Sequence, residues 1–224
     1  MPVVPAVFTF PAADSPAGVA APRRRPRPGE RRIQILQALA AMLEAPGVER
    51  VTTAALAARI GLSEAALYRH FASKAQMFDG LIEFIEASVF TLVDPLAEAR
   101  PPGAAQAGRI VGALLHFGEK NPGMTRVMVG DALVFEHERL AARMGRFFER
   151  IEAQLRRSLR DAGDLDGLDA PPAHGADADA ATRASVLTAF CIGRLQRHAR
   201  SGFRRLPTEH LDAALRLLGV APPA

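Results

Sequence analysis

The chain of 224 residues contains one cysteine, one tyrosine and no tryptophan, and no apolar run in it approaches the ~18 residues of a membrane-spanning helix. Cys191 cannot close an internal disulfide, so the cysteine usage suits a reducing cytoplasm, and Cys191 itself reads as core. No membrane segment is expected. Pro2, Pro5 and Pro11 break up the mildly apolar N-terminus, and its first positive charges follow the apolar part, the reverse of a signal peptide. Catalytic signatures are missing too. There is no GxSxG elbow, no phosphate-cradling glycine loop and no HExxH, and the six histidines are scattered without ligand spacing. His137-Glu138 has no second histidine four residues on, while His116 and His198 read as core or partner-facing. Neither catalysis, a cofactor nor a metal site is expected.

What is present is helical. Hydrophobic residues make up 49% of the chain, alanine and leucine dominate the periodic stretches, and no strand-type alternation stands out, so the expected fold class is all-α. The length suits one large domain or a small head with a larger body, and either can bury a proper core. Charge separates the two ends. Residues 1–74 hold 10 Lys or Arg against 5 Asp or Glu, a net +5, whereas residues 75–224 hold 18 against 19. That basic excess is the footprint expected of a part that faces nucleic acid.

The stretch Val51 to Phe71, VTTAALAARIGLSEAALYRHF, organises the basic part. Two short helical patterns, Thr53 to Ile60 and Glu64 to His70, flank Gly61, which can take the left-handed conformation that closes a helix. Thr52 can cap the first, with Val51 and Leu56 as a hydrophobic staple, and Ser63 can cap the second. With Leu56, Ile60 and Leu67 facing inward, the second helix projects Ser63, Glu64, Ala65, Tyr68, Arg69 and His70. Such a face fits a major groove. Ala65 and Ala66 let the backbone approach base edges, where an alanine methyl can pack on a thymine methyl. Thr52, Thr53, Tyr68, His70 and Lys74 are types that bind phosphate oxygens, three of them at or beside helix starts. The competing reading, an ordinary helical hairpin in a core, leaves the agreement of cap, glycine and polar face unexplained.

Around this unit, residues 1–29 are rich in Pro, Ala and Gly and read as a disordered basic arm ending in Arg23, Arg24, Arg25 and Arg27. The arm is either a sequence-blind phosphate clamp or a solvated tail ahead of the true first helix. Arg31 to Glu44 is expected as that helix, with Ile33, Leu36, Leu39, Ala40 and Leu43 inward, so that a head spans residues 30–74 and a body 75–224. Ser73 and Gln76 form a capping-box pair opening a long helix to about Val93, whose stripe is Phe78, Leu81, Ile82, Ile85, Val89, Leu92 and Val93. Phe84 falls roughly 120° off that stripe, beside Met77 and Ser88. Either another helix covers it or it anchors a protein partner.

Pro95 and residues 100–103 should end the long helix, Ala104 to Lys120 forms the next, and in Asn121-Pro122-Gly123 the asparagine can cap a short helix with proline at its first position. Glu136 to Asp161 is amphipathic on Leu140, Met144, Phe147, Phe148, Ile151, Leu155 and Leu159. Gly163 to Asp179 reads as a flexible acidic loop; Asp164, Asp166 and Asp169 loosely resemble a calcium loop, but its closing glutamate is missing. Helices from about Ala180 to Gly202, with Leu187, Phe190, Cys191, Leu195 and His198 on one stripe, and from Thr208 to Leu218 finish the chain. Two long late helices with wide apolar faces suit a two-fold four-helix interface, and a dimer would set two readers on a palindrome.

Thr52-Thr53-x-x-Leu56-Ala57, Gly61-x-Ser63 and Leu67-Tyr68-x-His70-Phe71-x-x-Lys74 resemble the DNA-binding head of the TetR-type regulators. Beyond the head, SEAALYRHFASKAQMFDGLIEFIEASV, FGEKNPGMTRVMVGDALVFEHERL and RFFERIEAQLRRSLR resemble the nucleoid occlusion factors of that family, closely over residues 31–160 and more loosely over 181–219. The resemblance implies a TetR-like fold with a three-helix head and a larger helical dimerisation body, and a cytoplasmic, nucleoid-associated homodimer on palindromic double-stranded DNA. It implies a protein partner as well: the C-terminal tail of FtsZ, the cell-division tubulin homologue, held in a groove between the fourth and fifth helices by residues matching Phe84, His116, Lys120 and Asn121. Antagonism of FtsZ polymers over the chromosome would then block septum assembly there. Leu92 and Lys120 stand where relatives carry arginine, and His116 fills a glycine position. Lysine lacks the planar fork that grips a carboxylate. The alternative is a ligand-responsive TetR-type repressor, with Met124, Met128, Leu133 and Phe135 lining a pocket whose occupant changes the spacing of the two readers. That alternative predicts a closed pocket with a few convergent polar groups; the occlusion factor predicts a filled body and an apolar surface groove.

Overall fold

A computed structural model describes residues 29–45, 50–99, 103–163 and 176–222. Among these, every regular element is helical: α1 (Glu30–Leu43), α2 (Thr53–Arg59), α3 (Glu64–Tyr68), α4 (Lys74–Glu98), α5 (Ala104–Lys120), α6 (Pro122–Met128), a 3-10 turn (Asp131–Leu133), α7 (Glu138–Gly163), α8 (Ala176–Arg200) and α9 (Leu211–Leu217). The basic arm expected ahead of residue 29 and the acidic stretch with Asp164, Asp166 and Asp169 lie outside the described residues. No helix among the described residues is long and apolar enough to cross a membrane.

The first helix buries Ile35, Leu36, Ala38, Leu39, Ala40 and Leu43. Ile33, expected inward, is 51% exposed, because two residues of helix separate it by about 200° from Ile35, which takes the core position instead. α4 opens as expected on Ser73, whose Oγ accepts the Gln76 N–H at 3.2 Å. The return bond of the box lands one residue early, with Gln76 Oε1 accepting from the Ala72 N–H at 2.8 Å. The helix does not stop at Val93. It runs through Pro95 to Glu98, since Pro95 is exposed and water can reach the carbonyl its ring leaves unpaired. Buried Gln106 then closes the end by directing Nε2 at the Leu96, Ala97 and Ala99 carbonyls at 2.9, 2.9 and 2.8 Å.

Because α1, α5, α6 and α7 all pack on α4, its buried surface extends past one stripe to Met77, Ser88 and Phe90. The seven residues expected to face inward along α7 are all buried. Phe147 lies 5.4 Å from Phe90 and 5.0 Å from Phe148, edge-on to the latter, and the Arg150 guanidinium covers Phe90 at 3.5 Å. Outside this apolar seam a charged clasp sets the register of α7 on α4. Arg143 bonds Glu86 at 2.6 and 3.0 Å, Arg139 pairs with Asp79, and Arg150 reaches Asp94 at 2.9 Å. Partly solvated pairs of this kind contribute roughly 0–1 kcal/mol each, so the seam carries the stability and the clasp the alignment.

α8 begins at Ala176, ahead of the expected Ala180, and α9 begins at Leu211, after the expected Thr208. Pro207 and Thr208 instead form a turn that ends on His210 with a positive φ of 56°. Thr208 Oγ1 bonds the Glu119 carboxylate and so ties that turn to α5. Cys191 on α8 is fully buried, and burial pushes its thiol up to about 12. The thiolate is the reactive form, so a thiol reagent at neutral pH should leave the folded protein unmodified, with labelling rising only as denaturant unfolds it. Labelling in native buffer at the rate of a free thiol would mean that α8 opens there.

Candidate nucleic-acid interface and partner groove

Local chemistry builds the reader. Thr52 is extended (φ −98°, ψ 151°) and its Oγ1 accepts the Ala55 N–H at 3.2 Å, while Ser63 (φ −75°, ψ 154°) accepts the Ala66 N–H at 3.1 Å. Each cap is worth about 1 kcal/mol, a large contribution to helices of seven and five residues. Gly61 separates them at φ 65°, a left-handed conformation open to glycine at no steric cost. Val51, Leu56, Leu67 and Phe71 are buried under the pair, and Ile60, expected inward, is half-buried against the same cluster. The remaining surface holds Thr52, Ser63, Glu64, Ala65, Tyr68 and Arg69 exposed, with Thr53 and His70 half-buried. Ala66 turns into the helix pair, so Ala65 alone offers its methyl.

Several of the expected contact residues already have protein partners. The Thr53 hydroxyl donates to Glu64 Oε2 at 2.7 Å, and the Tyr68 hydroxyl reaches the same Thr53 oxygen at 3.5 Å. The His70 carbonyl accepts from Arg32, whose guanidinium lies 4.0 Å over the Phe71 ring and pins α1 to the end of α3. Lys74, expected on phosphate, pairs through Nζ with Glu136 of the segment leading into α7, their side chains being 20% and 8% exposed. A lysine at the first turn of α4 has the reach to take either partner, and the body supplies the nearer one. Arg32 was missed in the sequence, where nothing connects it to a carbonyl 38 residues away.

Of the expected partner residues, Phe84 lies on α4, His116 and Lys120 lie on α5, and Asn121 joins α5 to α6. Phe84 is half-buried against the core, and its helical neighbours Met77 and Ser88 are buried. His116 and Lys120 lie one turn apart on the exposed side of α5. The His116 Nδ1–H bonds the Gly112 carbonyl at 2.8 Å, which leaves Nε2 as the outward atom. Asn121 does not cap α6. Its side chain folds back and is buried, with Nδ2 donating to the Phe117 carbonyl at 2.8 Å, because at φ −131°, ψ 68° it sits over the end of α5. Thr125 Oγ1 adds a bond to the Gly118 carbonyl at 2.8 Å, so the elbow between α5 and α6 is locked from within.

That elbow also grips the head. A Cβ built on Gly123 would stand 2.0 Å from the Ala40 carbonyl oxygen, so α6 and α1 touch backbone to backbone. The Gly123 N–H bonds the Glu44 carboxylate, and Arg126 Nη1 bonds the Leu43 carbonyl at 3.2 Å. Partial burial raises the Glu44 pKa above its ordinary value, against the opposing pull of the Gly123 amide and the Arg59 charge. Of the residues expected to line an internal pocket, Met124, Met128 and Leu133 are packed in the core, whereas Phe135 is 63% exposed beside an exposed Val134. Two clefts open elsewhere, one among Glu149, Glu152, Arg156, Arg157 and Arg160 on α7, the other between α4 and α7 at Asp94, Glu98 and Arg150.

The family model described as "Bacterial regulatory proteins, tetR family" matches residues 35–81, and that described as "Tetracyclin repressor-like, C-terminal domain", of SlmA-like type, matches residues 105–220. The proteins named Nucleoid occlusion factor SlmA from Escherichia coli (strain K12 / DH10B) and Citrobacter koseri are each 50% identical to the chain over 184 residues, covering 82% of it and 90% of the relative. Among solved structures, the SmeT–triclosan complex superposes with a TM-score of 0.64 at 20% identity, over 84% of this chain and 88% of that one. FadR from Bacillus subtilis, in complex with stearoyl-CoA, does so with a TM-score of 0.66 at 11% identity, over 83% and 96%. At those identities the structural likeness speaks for the fold alone.

Proposed function

The chain belongs to the TetR family of bacterial regulatory proteins and, within it, to the SlmA-like nucleoid occlusion factors, and from that membership we propose the following action. In the cytoplasm a homodimer sits on palindromic double-stranded DNA of the nucleoid, captures the C-terminal tail of FtsZ, and antagonises FtsZ polymers so that no septum assembles over the chromosome. The observation that supports this most is that the 50% identity extends over 82% of the chain, through head and body alike, instead of stopping at the reader. A shared head alone would argue only for DNA binding.

In this reading Thr52, Thr53, Ser63, Glu64, Ala65, Tyr68, Arg69 and His70 form the DNA face. Arg69 and the hydroxyls of Thr52, Ser63 and Tyr68 fix orientation on phosphates, and the small Ala65 admits the helix to the groove. α7 and α8 pair with their copies in the second subunit and set the spacing of the two readers. An apolar residue of the tail packs on the half-buried Phe84, and its acidic groups meet the Lys120 ammonium beside His116. Asn121 acts from beneath by holding the elbow in shape.

The test is fluorescence anisotropy of a labelled FtsZ tail peptide, with and without palindromic duplex. Phe84→Ala should weaken tail binding by about tenfold or more while DNA affinity stays, in keeping with loss of an apolar anchor. Lys120→Glu, a change on an exposed side chain, keeps the question open to measurement if Phe84→Ala fails to fold, and should weaken the tail similarly. Tyr68→Ala should do the opposite, loosening DNA and sparing the tail. A protein that grips DNA yet binds no tail in either condition would turn the assignment to a ligand-responsive repressor.

A further inference from the structure

Of the polar side chains on the DNA face of the reader, all but one can donate a hydrogen bond. Glu64, the first residue of α3, is exposed beside Ser63 and Ala65, and a carboxylate only accepts. Among the described residues it has no ion pair; its polar partner is the Thr53 hydroxyl, 2.7 Å from Oε2. Facing a polyanion, such a group repels DNA wherever it meets phosphate or an acceptor edge. It is tolerated only where the groove presents a donor.

We propose that Glu64 is the specificity-determining residue of the reader and selects a cytosine, and that Thr53 is its positioning residue. The inference rests on the DNA-reading function proposed above. In the major groove guanine shows two acceptors and thymine an acceptor and a methyl, so both repel a carboxylate. Adenine offers its N6 amino group next to the N7 acceptor, which repels the second carboxylate oxygen. Cytosine offers the N4 amino group with no acceptor beside it on its own ring, and it matches Oε1, the oxygen that has no hydrogen-bond partner among the described residues. Thr53 has one hydroxyl proton and spends it on Glu64, with Tyr68 OH 3.5 Å behind, so its contribution is to aim the carboxylate. Each half-site of a palindrome then carries one cytosine set by this residue.

The experiment uses the full chain and a library of palindromic duplexes with randomised half-sites, selected over several rounds and sequenced. The wild type should enrich one cytosine position per half-site, with any other base there binding roughly tenfold or more weakly. Glu64→Gln adds an amide donor that suits adenine N7, so the same position should switch from cytosine to adenine while the rest of the site is unchanged. Thr53→Val keeps the shape and removes the hydroxyl. It should blur the cytosine preference without moving it, which loss of a phosphate contact would not do, since that weakens all sequences alike. Identical enriched sites for wild type and Glu64→Gln would overturn the inference and leave DNA reading standing. A wild type that enriches nothing would remove both.

Discussion

Gly123→Ala should lower the melting temperature by about 5–10 °C and reduce affinity for a palindromic duplex far more than for an isolated half-site. The added methyl would stand 2.0 Å from the Ala40 carbonyl oxygen and 2.9 Å from its carbon, with Glu44 Cγ at 3.1 Å. Backbone cannot yield as a side-chain tip can, so α1 must move off α6. Overpacking of this kind costs about 1–3 kcal/mol, occasionally more, and in a chain of this size each kcal/mol shifts the melting point by about 2–4 °C. The displacement also breaks the bond from the Gly123 N–H to the Glu44 carboxylate and the one from Arg126 to the Leu43 carbonyl. Those bonds fix the head on the body. In the proposed dimer, loosening them spreads the distance between readers, which a palindrome senses and a half-site does not. Gly145→Ala is the control, because nothing lies within 4 Å of a methyl at that glycine and an alanine suits a helix interior. A Gly123→Ala protein with unchanged melting point and duplex affinity would show that α1 and α6 are not in register-setting contact.

What the sequence made legible is what it writes locally. The caps at Thr52, Ser63 and Ser73 each lie three residues from the amide they accept, and the α7 stripe from Leu140 to Leu159 follows the helical period without a break. The misreadings share a different cause, since each depended on a group far along the chain or on a choice between two local options. Pro95 reads as a stop, but the end of α4 lies beyond it, where Gln106, about ten residues on, closes the Leu96, Ala97 and Ala99 carbonyls. In α1 the apolar residues are dense enough to draw two stripes, and only the packing of α4 and α6 selects Ile35 over Ile33. Asn121 could bond forward into α6 or back onto α5, and its backbone angles decide for α5. On the reader, residue types were legible while their present partners were not. Thr53 faces Glu64 11 residues away, and Lys74 faces Glu136 at a separation of 62.

Lys74→Ala should be the most damaging single change at the junction of head and body, and Glu136→Gln should act on DNA in the opposite direction. Removing Lys74 leaves the Glu136 carboxylate, 8% exposed, without its cation. An uncompensated buried charge costs about 3–5 kcal/mol, reduced to about 2–3 here because the lysine side of the pair is 20% exposed to water. Glu136→Gln removes the charge that needs neutralising and keeps the shape, so stability should change little. It also releases an ammonium that already lies at the start of α4, close behind the reader. Phosphate and Glu136 compete for that one cation, and with the carboxylate gone the proposed DNA complex gains a contact. The expected result is a severalfold tighter duplex at low salt and a plot of log affinity against log salt steeper by about 0.9 per subunit. The double variant separates the two roles, since it should recover the stability lost in Lys74→Ala while binding DNA no better than that variant. Should Glu136→Gln bind with wild-type affinity and wild-type salt slope, Lys74 would be a structural residue alone, and the phosphate contacts of the head would have to come from Arg69, the hydroxyls and the backbone amides around α2 and α3.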